Sequence, residues 1–382
     1  MLKFEKIIET ATSRMEPIAL NHQRCSRVRS HLGKCSKCIE CCPVEGIIIK
    51  NSKIELNDNC IQCGLCASVC PTGAISIQEP TELNLYNYIE EEGKLDNTVI
   101  LTCKHNDDIS KSVFKVPCLG GLTLEFLLGI DTLPFEINVI FSQAKCKECI
   151  VKSGIDLYLN NIKKIKRIEE DLNLLGGSIK NTEKVPKVKT RKTSTEEIDN
   201  ERREFLFSIF KSVKKLPNTA IKYVLGTNDD DDDEKSNAIV ASPTVKKYPI
   251  LGKVFSKIKG EELINSEIID YSKPSLVGTC TFCRACTMLC PMGALKYIEK
   301  GDKLSLFLLR DACSGCGLCV EVCYYGALEL KSKTIKDFSF VEPSILAAGT
   351  KQRCSICKQI ITASNTVEIC SSCLKLGRIY RR

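Results

Sequence analysis

One cysteine spacing, C-x2-C-x2-C-x3-C, occurs three times and constrains this chain more than any other feature. It falls at Cys60, Cys63, Cys66 and Cys70, at Cys280, Cys283, Cys286 and Cys290, and at Cys313, Cys316, Cys319 and Cys323, each time followed by x-x-Gly-Ala. Buried free thiols do not recur at a fixed spacing, and four-thiolate zinc sites use two C-x2-C pairs, not a triplet with a trailing fourth. With 25 cysteines in 382 residues, thiol chemistry must govern the fold. A disulfide framework would belong to an oxidising compartment. Met1 to Leu20 carries Lys3, Glu5, Lys6, Glu9, Arg14 and Glu16 without a signal-peptide core, and no later stretch is an uncharged apolar run of membrane-spanning length. The chain therefore reads as a cytoplasmic protein whose thiols bind metal.

The repeat, with Pro71 and Pro291 after the fourth cysteine and Gly73, Gly293 and Gly326 beyond it, resembles the bacterial two-cluster ferredoxin module. In that module three thiolates wrap one corner of a [4Fe–4S] cluster and the fourth cysteine reaches the neighbouring cluster. The resemblance implies that Cys280, Cys283, Cys286 and Cys323 hold one cluster, and Cys290, Cys313, Cys316 and Cys319 the other. Tyr324 replaces the proline in the third repeat, beside a ligand and not at one. Leu295 to Arg310 alternates apolar and polar residues around Gly301 and Asp302, which predicts a hairpin.

The N-terminal pair is irregular. Cys42 and Pro43, with Gly46 beyond, match the end of a repeat; Cys38 and Cys35 then stand at the third and second ligand positions, and Leu32 at the first. Cys25 can supply the missing thiolate from a longer loop. That frame gives Cys25, Cys35, Cys38 and Cys70 to one cluster and Cys42, Cys60, Cys63 and Cys66 to the other, leaving Cys41 over. The competing frame uses Cys35, Cys38 and Cys41 and leaves Cys25 over; a three-iron cluster results if neither spare thiol reaches. The two pairs imply four [4Fe–4S] clusters.

Between the pairs, Val99 to Thr102 reads as a buried strand ending at Cys103, and Ile137 to Phe141 as a second. Cys118 follows Pro117, and Cys146 and Cys149 form a C-x2-C. Thiols at the strand ends of a small α/β unit stand where such sheets collect ligands. This spacing resembles the small iron–sulfur (delta) subunit family of methyl-viologen-reducing hydrogenases, which implies a [2Fe–2S] cluster on Cys103, Cys118, Cys146 and Cys149 and docking near a larger redox enzyme. Zinc, or a redox dithiol at Cys146 and Cys149, is the other reading. In the tail, the two C-x2-C knuckles Cys354/Cys357 and Cys370/Cys373 predict a zinc ribbon. A rubredoxin-like iron is the alternative, although Lys358 and Leu374 stand where rubredoxin knuckles carry glycine.

The expected architecture is α+β, with two ferredoxin-like dicluster domains flanking a small α/β domain and a zinc-ribbon-like tail. In order it has an N-terminal amphipathic helix (1–24), a dicluster domain (25–80), the α/β four-cysteine domain (97–170), a linker (171–240), a second dicluster domain (270–332) and the ribbon-like module (350–376). The linker carries an amphipathic helix on Phe205, Leu206, Ile209, Phe210, Val213 and Leu216, then an acidic run. The formal charge is +8, and the cluster Lys184, Lys187, Lys189, Arg191 and Lys192 reads as solvated linker. With no Trp to build a base-stacking platform, nucleic acid is not the expected partner. Glycine motifs for phosphates or dinucleotides are absent, and only His22, His31 and His105 offer imidazole chemistry, so neither a catalytic residue nor a small-molecule substrate is assigned. His22 and His31 flank Cys25, either tuning a cluster or as ordinary surface residues. The sequence predicts an electron carrier, or a subunit of an oxidoreductase complex, exchanging electrons with a hydrogenase or dehydrogenase partner. The alternative is a redox-sensing or scaffold protein whose ribbon docks a partner or binds nucleic acid.

Overall fold

The computed structural model describes residues 18–78, 81–106, 114–172, 176–184, 250, 272–310, 312–332 and 343–379. Most of the helix expected over 1–24, the linker helix, the acidic run and the basic cluster beyond Lys184 lie outside the described residues.

The first unit has strands β1 (Ile18–Leu20), β2 (Ile47–Lys50), β3 (Lys53–Leu56) and β4 (Ile75–Ile77), with one-turn helices α1 (Ser26–Arg29), α2 (Lys37–Glu40) and α3 (Leu65–Ser68). The expected N-terminal helix does not reach residue 24. Ile18 and Leu20 alternate with Ala19 as a strand pattern, β1 pairs antiparallel with β4, and Asn21 caps a single 3-10 turn at His22–Arg24. Strands β2 and β3 form a hairpin. The His22 Nδ1 accepts from the Ile54 N–H at 3.1 Å, which gives that histidine a structural role.

The central unit runs through α4 (Glu82–Asp96), β5 (Thr98–Cys103), β6 (Phe114–Val116), α5 (Leu124–Asp131), β7 (Glu136–Ile140), α6 (Gln143–Glu148), α7 (Ser153–Leu172) and β8 (Ile179–Thr182). Its strands are parallel in the order β6-β5-β7-β8. Parallel strands need cover on both faces. Helix α7 supplies Ile155, Tyr158, Ile162, Ile165 and Ile168 at helical spacing, and α4 supplies Leu85, Tyr86 and Ile89; all are buried in one core with Leu101, Ile137 and Val139. Thr81 and Thr123 cap α4 and α5. The fold therefore extends past the expected limits at both ends: α4 precedes residue 97, and residues 179–182, expected as linker, are a strand. The Asp131 carboxylate holds that strand by accepting from the N–H groups of Gly177 at 3.0 Å and Ile179 at 2.8 Å.

The third unit has β9 (Ser272–Leu276), α8 (Ala285–Leu289), β10 (Leu295–Lys300), β11 (Lys303–Leu308), α9 (Leu318–Glu321), β12 (Leu328–Ser332), β13 (Ser344–Arg353), β14 (Ile360–Ala363) and α10 (Ser371–Ile379). Strands β10 and β11 form the expected hairpin, turning at Gly301 with φ +60°. The outer pair β9–β12 matches β1–β4, so both cysteine-rich units share one plan. The tail is not a separate module. Its β13 pairs with β11 and β14 with β13, extending the hairpin into a four-stranded sheet. Among the described residues no helix is long and apolar enough to cross a membrane.

Candidate metal centres

The C-terminal repeats build two thiol-lined cavities. One is lined by Cys280, Cys283, Cys286 and Cys323, the other by Cys290, Cys313, Cys316 and Cys319. Each regular loop is bent by two left-handed residues flanking its second cysteine: Gln62 and Gly64 (φ +55° and +83°), Phe282 and Arg284 (+53° and +66°), Gly315 and Gly317 (+64° and +81°). The second of each pair starts the one-turn helix that carries the third cysteine. Where Arg284 replaces glycine, its guanidinium bonds Glu299 at 2.9 Å and lies 4.1 Å from the Tyr297 ring centroid, tying the loop to the hairpin.

The fourth cysteine of three repeats is held by one device: the backbone N–H four residues on donates to its Sγ. Gly46 reaches Cys42 at 3.1 Å, Ala294 reaches Cys290 at 3.3 Å and Ala327 reaches Cys323 at 3.3 Å. This register corrects the sequence alignment at Gly46. The left-handed position of the turn is filled by Gly73, Gly293 and Gly326 elsewhere, but by Glu45 (φ +51°) in the first repeat. Gly46 takes the alanine position, where a Cβ would stand 3.0 Å from the Cys60 Cα.

In the N-terminal unit, Cys25 and Cys38 lie close enough to Cys70 and Cys35 for their charges to act on both thiols. The spare Cys41 has Cys38, Cys42 and Cys63 as neighbours, and its Sγ faces the Cys38 carbonyl oxygen at 3.4 Å. It occupies the position that Val69, Leu289 and Val322 fill in the other repeats. Cys63 adjoins Cys42 and Cys60, and Cys66 adjoins Cys41, Cys63, Cys60 and Cys38.

The central four cysteines also converge. Cys103 ends β5, Cys118 follows β6, and Cys146 lies on α6 after β7, so the thiols gather at the carboxyl end of the parallel sheet. Cys118 feels Cys103 and Cys149, and Cys146 feels the same two. The loop after Cys118 can pass here only as glycine: a Cβ on Gly120 would run into the Gly154 backbone.

In the tail, Cys354, Cys357, Cys370 and Cys373 place their sulfur atoms within 4.8 Å of one another. Backbone N–H groups of Cys370 and Cys357 lower the Cys354 thiol to about 6, whereas hydrogen bonds with Cys370 and Cys357 raise Cys373 to about 12. The left-handed turn after the first knuckle is made by Lys358 (φ +60°), and Leu374 lies inside α10, so neither missing glycine prevents the geometry.

Burial pushes Cys38 up to about 11 and Cys41, Cys118 and Cys286 to about 12, with charge at neighbouring thiols adding to it. Metal binding requires thiolates, so an incoming cation must displace these protons. Sets of four soft thiols without carboxylate or imidazole suit iron–sulfur clusters or zinc. Spacing in the sequence points to all the cysteines gathered here except Cys25, which stands outside the repeat, and Cys41, which that frame leaves over. It missed the left-handed positions at Gln62, Phe282 and Glu45, which carry no glycine to announce them.

Residues 279–328 match the 4Fe–4S dicluster domain family, and residues 56–76 match the 4Fe–4S binding domain family. An uncharacterized ferredoxin of Methanocaldococcus jannaschii is 38% identical over 47 residues, 12% of this chain and 76% of that protein. A ferredoxin of Methanothermococcus thermolithotrophicus is 38% identical over 48 residues, 12% of this chain and 80% of that protein. Hydrogenase-4 component A of Escherichia coli is 43% identical over 61 residues, 15% of this chain and 30% of that protein. No solved structure matches the chain.

Proposed function

Since the chain belongs to the ferredoxin family, we propose that it is an electron-transfer protein or subunit relaying electrons to or from a larger oxidoreductase. The observation that carries this reading is the pair of thiol cavities in the C-terminal unit, each built from three cysteines of one repeat and one of the other. Cys280, Cys283, Cys286 and Cys323 would hold one [4Fe–4S] cluster and Cys290, Cys313, Cys316 and Cys319 a second. Cys25, Cys35, Cys38 and Cys70 would hold a third, and Cys42, Cys60, Cys63 and Cys66 a fourth. When bound, such clusters accept and release single electrons.

The chain's own part is to position and exclude. Backbone N–H groups at Gly46, Ala294 and Ala327 point at three sulfurs, which favours added negative charge there. The reading assigns a [2Fe–2S] cluster to Cys103, Cys118, Cys146 and Cys149, and zinc to Cys354, Cys357, Cys370 and Cys373. The likeness to a hydrogenase component makes a hydrogenase-type complex the partner to test first.

The test is anaerobic purification with iron, sulfide and zinc measured per chain, and EPR of the reduced protein. About eighteen irons and one zinc are expected. About sixteen irons and two zincs would make the central site structural, and a chain without iron would overturn the reading.

A further inference from the structure

The five four-cysteine sites proposed for clusters are not scattered. Four contacts link them end to end, and two of these cross between units. The first crossing joins the central site to the N-terminal unit. The Ser68 hydroxyl donates to the Gly120 carbonyl oxygen at 2.8 Å, and a Cβ on Gly121 would stand 3.0 Å from the Cys63 carbonyl oxygen. Gly120 and Gly121 lie two and three residues after Cys118, beyond Leu119, so the loop that carries Cys118 meets the Cys63 backbone through a glycine. Cys118 accordingly feels the charge of Cys63.

The second crossing joins the N-terminal and C-terminal units. The Arg29 guanidinium donates to the carbonyl oxygens of Met288 and Leu289 at the end of α8. Five residues on, the Lys34 N–H donates to the Glu321 carboxylate on α9 at 3.2 Å. Lys34 directly precedes Cys35, Leu289 directly precedes Cys290 and Glu321 lies two residues from Cys319, so the clasps set the Cys25 site beside the Cys313 site, where Cys316 feels the charge of Cys35. Within the units the sites adjoin through packing: Cys38 and Cys66 are buried in one cluster, and Cys286 and Cys319 pack against another.

We propose that the five sites form one unbranched series, in the order central site, Cys60 site, Cys25 site, Cys313 site, Cys280 site, and that Arg29 and Glu321 fix the junction between its halves. This inference rests on the electron-transfer reading and adds an order of sites to it. Electrons enter at one end and leave at the other, and the inner sites have no direct exchange with a partner. Each crossing of the junction oxidises the site on one side by one electron and reduces the site on the other by one, with no bond made or broken. The donor and acceptor are one-electron metal or flavin centres in partner proteins. The far end is open to such a partner: Cys283 is exposed, and Tyr324 and Tyr325, beside Cys323, are 84% and 51% exposed.

The test uses the full metal-loaded chain, with Arg29→Glu and Glu321→Ala as independent variants, since neither residue is a ligand. Pulsed dipolar EPR of the reduced protein reads the distances between paramagnetic sites, and solution X-ray scattering reads how the units sit. The native protein is expected to show short distances across the junction as well as within each pair. Both variants should keep full iron content and the within-pair distances, lose the junction distances, and give a larger radius of gyration. Full iron with no junction distance in the native protein overturns the series while leaving the electron-transfer reading intact, and junction distances unchanged in both variants overturn the role of Arg29 and Glu321 in fixing it. Absence of iron from the native chain overturns both.

Discussion

The two cysteine-rich units share a plan of hairpin, outer strand pair and one-turn helices, yet they reach it from different sequences. The C-terminal unit repeats its motif twice without a gap. The N-terminal unit has Leu32 where a first cysteine would stand, and Cys25, between a 3-10 turn and α1, lies near Cys35 and Cys70. The difference teaches that the trailing half of the motif is the invariant part. In both units a backbone N–H four residues beyond a fourth cysteine meets its sulfur, whereas the leading loop can be rebuilt. The units also lean on different neighbours. The N-terminal pair abuts the central unit at the turn after Cys118, through Gly120 and Gly121. The C-terminal pair is covered by the tail, where Ser364 exchanges hydrogen bonds with the Cys280 backbone and Thr362 donates to the Thr281 carbonyl oxygen.

The largest expected effect separates the two spare thiols of the irregular unit. Cys25→Ser should remove one cluster, a loss of about four irons per chain. Cys41→Ser should lose none, because Cys41 fills an apolar position and behaves as a small hydrophobe. Iron analysis with EPR of the two variants checks this, and the reverse outcome would restore the competing frame of Cys35, Cys38 and Cys41.

The next effect tests whether the neighbours are separate buttresses. Gly120→Ala forces a methyl into the Gly154 backbone at the loop that carries Cys118. Overpacking of this kind costs roughly 1–3 kcal/mol. The cost should appear as a lower melting temperature for the central and N-terminal units, with metal lost at the Cys118 site. The C-terminal pair should keep its iron and its spectrum. A uniform loss across all sites would show that the units do not stand on separate supports.

What could be read from the sequence, and what could not, divides along the same line. Ligand spacing is local, so the three regular repeats and the hairpin at Gly301 were visible in it, whereas the exchange of fourth cysteines was implied by the resemblance to the two-cluster ferredoxin module. Strands β5 and β7 were visible as apolar runs. Strand β8 was not, because Ile179–Thr182 is polar and is held by Asp131, a residue on α5 far away in sequence. The pairing of β13 with β11 was equally hidden, since nothing in either strand names its partner. At Gly46 the sequence misled: glycine signals a turn, but here it serves close approach to Cys60, and Glu45 bears the turn.

A smaller effect follows from pH and bears on the central support alone. The Glu82 carboxylate at the start of α4 accepts from the Thr123 N–H and hydroxyl, each at 2.7 Å, and burial raises it to about 7. A carboxyl whose folded value is raised binds its proton more tightly in the native state. Its contribution is fully present below the ordinary value near 4.5 and is lost as pH rises through about 7. Glu82→Gln keeps a group that accepts from Thr123 and cannot ionise. Relative to the native chain the variant should therefore gain stability between pH 5 and 8, by on the order of 1–2 kcal/mol for a half-buried group. Denaturation series at the two pH values would read it, and the C-terminal pair should show no such difference.

The smallest effect returns to the turn that both units share. Glu45 holds a left-handed conformation at φ +51°, which costs an L-residue about 1–2 kcal/mol, while Gly293 holds φ +61° at no such cost. Glu45→Gly removes that strain but loosens the unfolded chain, which takes back about 0.4–1 kcal/mol. The net should be a stabilisation of about 0.5–1 kcal/mol in the N-terminal unit, and Gly293→Ala should cost the C-terminal unit a similar amount. Equal and opposite shifts in the denaturation midpoints would mean that the irregular unit carries its strain at the turn and not at the ligands. If Glu45→Gly instead destabilises, the Glu45 side chain makes a contact worth more than the strain, and the two turns are alike in backbone only.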